Sequence, residues 1–201
     1  METPPQHPLE HAWDFYLHFP LYGHTATELF YSSQAYHQLC TFYTVEDFWD
    51  CFEDQIEKPS EIFFTSMSPR VQIHNKNVEA FDLFKHGIRP EWEDPMNVRG
   101  GHWECRRSWT PEELDNVWLE LVMALVGEVL EDGRVIAGAR LVDKSRPPKD
   151  EYRIEVWTTT CDVDKNETIR QRLVSILGPL SFVWKSHGES IEACHSQAAL
   201  T

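Results

Sequence analysis

Three stretches of helical periodicity, separated by strand-like runs, limit what this chain can fold into. The clearest is TVEDFWDCFEDQI (44–56). Val45, Phe48, Trp49, Phe52 and Ile56 fall at i, i+3, i+4, i+7 and i+11, one apolar stripe that needs a surface to cover it. Thr44 stands where an N-cap belongs, and Asp47 follows three residues on, close to a capping box. TPEEL (110–114) opens a second helix in the same way, with Thr110 as cap, Pro111 at the first helical position and Glu113 at the third. Leu114, Val117, Trp118, Leu121 and Leu125 continue the spacing, and Gly127 lies near the end. VDKNETIRQRLVSIL (163–177) is the third helix.

Between them, HAWDFYLHF (11–19) alternates Trp13, Phe15, Leu17 and Phe19, a strand signature. YHQLCTF (36–42), GRVIAGARLVD (133–143), RIEVWTT (153–159) and LSFVW (180–184) read as further strands, with the Pro- and charge-rich SRPPKDEY as a loop. The connections are too short and irregular for repeated βαβ units. The pattern therefore predicts a single α+β domain, a mostly antiparallel sheet with helices on one face. At 201 residues the chain can bury one core. Residues 1–10 are expected to be a mobile tail, 11–190 the domain and 191–201 a second tail. Ser60–Val78 is the least patterned segment and reads as a flexible insertion.

Charge and motifs exclude several functions. A net charge of −15 argues against generic nucleic-acid binding, which needs many Lys/Arg–phosphate contacts, but leaves room for a few local cations. Seven carboxylates between Thr44 and Glu61 oppose only Lys58; they read as a solvated helix face, or alternatively as a surface for a basic peptide. Apolar runs such as VMALVG are too short to span a bilayer, and the N-terminus has no basic and apolar leader. Five Cys without a CxxC pair predict free thiols in a reducing compartment, cytosol or nucleus, and no zinc or disulfide framework. No HExxH, GxSxG or phosphate-loop pattern is present, and Cys194-His195 sits in a polar tail. A non-enzymatic protein without cofactor or metal is expected.

The stretch RPEWEDPMNVRGGHW (89–103) sets Trp92 beside Glu93 and Asp94, then turns on Gly100-Gly101 into Trp103. With HPL (7–9), FYTVEDFW (42–49), LFKHGIRPEWED (83–94), RGGHW (99–103), VWLELVMALVGE (117–128) and VWTTTC (156–161), the chain resembles the eukaryotic translation initiation factor 4E family. These proteins bind the 7-methylguanosine cap of messenger RNA. The motifs run in the family's order over nearly the whole chain. The resemblance implies a strongly curved antiparallel sheet with three helices on its convex face.

It also implies a site. N7 methylation leaves guanine cationic, and a cation gains most between electron-rich rings, about 1–3 kcal/mol per ring. Trp92 is the implied stacking ring, Glu93 the acceptor for guanine N1–H and N2–H, and Trp157 the contact to the methyl group. The family's other tryptophan is missing, because no Trp lies between Trp13 and Trp49; Tyr31 or Phe30 is expected to replace it, giving weaker stacking. Lys144 and Arg153 match the phosphate-binding positions, with Arg146 and Lys149 as substitutes. Arg99 and His102 lie near the phosphate path, where His102 would titrate near its ordinary pH of about 6.5. SHGES (186–190) falls on a loop that covers the cap in relatives. A second face, at Pro8, Val45, Trp49, Leu119, Glu120, Met123 and Gly127, is implied to take a helical peptide of a scaffold or repressor protein. Capped RNA, one such protein, no membrane and a monomeric, cytoplasmic or nuclear initiation factor are the expectations. A repressor or storage factor, or a relative specialised for a hypermethylated cap, is the alternative.

Overall fold

β1 (Pro8–His18) turns Trp13, Phe15 and Leu17 to one side of the sheet and Asp14, Tyr16 and His18 to the other, and this division runs through the whole molecule. The structure, a computed structural model, describes residues 6–19, 36–55, 58–64, 72–73, 76–131, 133–146 and 148–188. Among them, β2 (Tyr36–Thr44), β5 (Ala80–Lys85), β6 (Gly101–Arg107), β7 (Ile136–Asp143), β8 (Tyr152–Thr158) and β9 (Val183–Ser186) join β1 in a curved sheet of order β2-β1-β5-β7-β8-β6-β9. Every pairing is antiparallel. A separate hairpin joins β3 (Gln72–Ile73) to β4 (Lys76–Asn77).

Helices α1 (Val45–Gln55), α2 (Pro59–Phe63), α3 (Pro111–Val126) and α4 (Val163–Leu177) cover one face. Phe48 and Phe52 of α1, Leu114, Trp118 and Leu121 of α3, and Ile169 and Leu173 of α4 share one core with Trp13, Phe15, Leu83, Leu141, Ile154 and Val156 of the sheet. The starts follow the cap residues. Thr44 Oγ1 accepts from Asp47 N at 3.1 Å. Thr110 and Glu113 form a complete capping box, and Asp162 caps α4 through Lys165 N. The Ser60 amide and hydroxyl both donate to Asp115, docking α2 on α3.

Three expectations change. β1 begins at Pro8, because Pro8 pairs with Thr44 and His7 accepts from Val45 N, so residues 8–10 belong to the sheet and not to a tail. Part of the 60–78 segment is helix and hairpin, while 65–71 lies outside the described residues. Cys40 and Cys51 form a disulfide: α1 folds back over the strand it follows and brings their Cα atoms to 6.5 Å. Cys105 and Cys161 are free, and Cys194 is outside the described residues. None of the described helices is long and apolar enough to cross a membrane.

Candidate binding site on the helix-free face

The turn between β5 and β6 carries Trp92 and Glu93, and its own polar groups shape it. Asp94 is buried and accepts from the amides of Arg89 at 3.1 Å and Met96 at 2.9 Å. Asn97, also buried, donates to the carbonyls of Arg89 and Glu91. Asp94 is therefore consumed inside the turn. Glu93 is half-exposed and makes no hydrogen bond or ion pair among the described residues. Beside it Trp92 is half-buried, packed on a small apolar cluster of Phe84, Ile88, Ala137 and Trp157. The two glycines after the turn leave room for close backbone approach. A Cβ on Gly100 would fall 1.8 Å from the Thr158 carbonyl oxygen, and one on Gly101 2.3 Å from that of Lys185.

Below the turn, alternation puts Asp82 and Phe84 of β5, Arg140 of β7, Arg153, Glu155 and Trp157 of β8, and His102 and Glu104 of β6 on the helix-free face. The register sets Asp82 opposite Arg140, and Arg140 opposite Glu155. Arg140 donates to Asp82 at 2.6 and 3.2 Å and to the Pro90 carbonyl at 2.9 Å, and its guanidinium lies 5.3 Å from the Trp157 ring centroid. Tyr36 Oη–H donates to the same carbonyl at 3.0 Å. Burial lifts the Asp82 carboxyl to about 6 against the pull of Arg140, which leaves the pair ionised at neutral pH.

Trp157 is fully buried, its Nε1–H donating to Glu155 at 2.8 Å. Phe84 meets its edge, and His102 and His187 lie 5.7 and 4.3 Å from its centroid. With Trp92 and Arg140 also packed against it, the ring leaves no surface open to a ligand here. His102 is not the surface cation expected from the sequence. It is buried, with Nδ1 3.1 Å from His187 Nε2, and burial pushes its pKa below the ordinary range, more than Glu155 and Glu104 restore. His187 is lowered to about 4, again by burial.

The expected cations divide. Lys144 pairs with Glu79 at 3.1 Å, and Arg146 and Arg99 are exposed. Arg153 turns to the carboxylates, 2.7 Å from Glu155 and 3.7 Å from Glu104. Around Glu104 it meets Arg106 and Lys185, neither of which was marked by the sequence. His102, Glu104 and Glu155 bring ligand atoms within 4.8 Å of one another, as a metal site would. Arg153 reaches both carboxylates, so the chain itself supplies the positive charge. Tyr31 and Phe30 lie outside the described residues.

On the other side of the molecule Trp49 and Val45 are each 37% exposed and Met123 43% exposed, whereas their neighbours Phe48, Phe52 and Val122 are buried. Leu119 is half-buried, and Pro8, Glu120 and Gly127 face solvent. Trp49 is thus presented outward and is not a core residue.

A family model described as eukaryotic initiation factor 4E matches residues 8–200. The chain belongs to the initiation factor 4E family. Eukaryotic translation initiation factor 4E-2 of Schizosaccharomyces pombe is 35% identical over 86% of this chain, and the chain spans 62% of that relative's length. Eukaryotic translation initiation factor 4E of Candida albicans is 30% identical over 86% of this chain and 74% of its own. Among solved structures, C. elegans eIF4E-3 with the 4E-binding protein Mextli superposes with a TM-score of 0.71 at 26% identity, covering 92% of this chain and 96% of that one. Ascaris suum eIF4E-3 with m7G cap gives 0.70 at 28% identity, covering 91% and 92%. The antiparallel sheet backed by helices is therefore the initiation factor 4E fold, as the motifs implied.

Proposed function

We propose that this initiation factor 4E family member binds the 7-methylguanosine cap at messenger RNA 5′ ends and acts in translation initiation in the cytoplasm, without enzymatic activity. One observation carries the reading: Trp92 offers a half-exposed ring and Glu93 a carboxylate with no partner among the described residues, both from one turn, while Asp94 beside them is used up internally. A carboxylate that accepts two N–H bonds from a cationic guanine gains charge assistance in both. The ring supplies a cation–π face to the same base. Tyr31 or Phe30 would close the stack, with Trp157 behind it. Arg153 faces the phosphate chain.

The outward Val45, Trp49 and Met123 support a docking site for a helical peptide, with Trp49 as the aromatic anchor. Relatives solved with Mextli and with 4E-BP favour the same assignment. A hypermethylated cap is the second reading, favoured by the Ascaris suum relative solved with m2,2,7G cap at 29% identity.

Retention on immobilised 7-methylguanosine resin tests the proposal. The protein should elute with 7-methyl-GTP and stay bound in GTP, and capped RNA incubated with it should release no nucleotide. Equal elution by both nucleotides would overturn it.

A further inference from the structure

Glu104 is 7% exposed on the helix-free face, and cations from three adjacent strands converge on it. Lys185 Nζ lies 2.9 Å from Oε1, Arg106 Nε 3.3 Å from Oε1, and Arg153 Nη1 3.7 Å from Oε2. The Arg106 and Lys185 side chains are 44% and 43% exposed, so a ligand on this rim would meet them. Glu155 already holds Arg153 Nε at 2.7 Å.

The histidines add no charge. The Asn97 carbonyl can only accept, so His187 Nδ1 carries a proton. Neutral His187 then accepts at Nε2 from His102 Nδ1–H. His102 Nε2 is left as a bare lone pair 3.9 Å from Glu104 Oε2, an oxygen with no hydrogen-bond donor among the described residues. Among the described residues the charge on Glu104 is thus balanced by the three cations, of which it shares Arg153 with Glu155. Any phosphate arriving there competes with a buried carboxylate for the same donors.

Taking the pocket above as the cap site, we propose that Glu104 is a specificity-determining residue: its carboxylate occupies the Arg106–Arg153–Lys185 triad, so recognition rests on the methylated base and gains little from the attached phosphates. Burial opposes the charge on Glu104, but the hydrogen bond from Lys185 and the neighbouring guanidiniums more than offset it and keep the carboxyl ionised at neutral pH. Three uncommitted cations at about tenfold each would make a triphosphate about a thousandfold tighter than the nucleoside. The occupied triad should give far less.

The test is calorimetric titration of wild type and Glu104→Gln with 7-methylguanosine, its mono-, di- and triphosphate, and inorganic tripolyphosphate. The wild-type ratio of triphosphate to nucleoside affinity should stay well below that thousandfold limit, and Glu104→Gln should raise it at least about fivefold at low salt, less at high salt. Glu104→Thr, which suits a strand, should raise it too. A wild-type ratio near a thousandfold overturns the proposal without any variant, as does an unchanged ratio in the folded variants. If no methylated ligand binds wild type, the cap reading fails separately. The inorganic arm then decides: tighter tripolyphosphate binding by Glu104→Gln supports the occupied triad, and equal binding overturns it.

Discussion

Arg140 Nη2 donates to the Pro90 carbonyl at 2.9 Å, which ties the central strand β7 to the turn that presents Trp92. The same guanidinium is locked to buried Asp82 on the neighbouring strand, so the turn is anchored to the middle of the sheet. Replacing Arg140 by Met would leave Asp82 a buried, unmatched charge. Removing one partner of such a pair costs about 3–5 kcal/mol, or roughly 6–20 °C in Tm for a chain of this size. Thermal melts should show that loss. The double variant Asp82→Leu/Arg140→Met should recover most of the stability, while 7-methyl-GTP affinity stays reduced because the Pro90 carbonyl keeps only its bond from Tyr36 and loses its tie to β7.

If Glu93 reads the guanine edge as proposed, it also sets the preference among caps. Two methyl groups on guanine N2 remove both N2 hydrogens and leave the carboxylate only N1–H. Each charge-assisted bond contributes about 1.5–3 kcal/mol. The trimethylated cap analogue should therefore bind at least about tenfold more weakly than 7-methyl-GTP in fluorescence titration. Equal affinity would move the protein to the hypermethylated-cap reading.

Acid should loosen the pocket before it unfolds the rest. Burial holds His187 at about 4 and lowers His102, whereas both take up protons near 6.5 once unfolded. Protons therefore favour the unfolded chain. The stabilising contribution is intact above pH 6.5 and is lost as pH falls from there toward 4. Although burial opposes its charge, Arg153 holds Glu155 at about 2, so its loss comes only below about pH 4.5. Tm measured against pH should fall through the first window, and His187→Gln should flatten that fall.

The outward aromatic on α1 should separate partner binding from folding. Trp49→Ala should shift Tm by no more than a few degrees and leave cap retention intact, yet abolish capture of a 4E-binding peptide. Phe52→Ala, one turn further along and buried, should cost about 3–5 kcal/mol.

Helix ends were legible because their signals are local. Thr110 with Glu113 predicts the capping box that forms, and α4 occupies 163–177 as its periodicity indicates. Strand β5 gave no such signal: all six of its residues are buried, so alternation vanishes. The disulfide was hidden for a related reason, since an 11-residue separation has meaning only after α1 folds onto β2. In the site, Trp92 and Glu93 stood out as neighbours in the chain. The Glu104 triad did not, because Arg106, Arg153 and Lys185 come from strands that adjoin only in the sheet order β8-β6-β9. Period-two spacing in RIEVW does place Glu155 between Arg153 and Trp157 on one face, a local clue to the buried carboxylate beside Arg153.

Glu93, without a partner among the described residues, and the half-exposed Trp92 indole beside it are proposed to recognise a cationic guanine together. Tryptophan fluorescence titration of wild type and Glu93→Ala with 7-methyl-GTP and GTP measures this recognition most directly. Wild type should be quenched by the methylated nucleotide at least about a hundredfold more tightly than by GTP, and Glu93→Ala should lose about a hundredfold in 7-methyl-GTP affinity at unchanged Tm. A folded Glu93→Ala variant that still binds 7-methyl-GTP like wild type, or a wild type that cannot tell the two nucleotides apart, would contradict it.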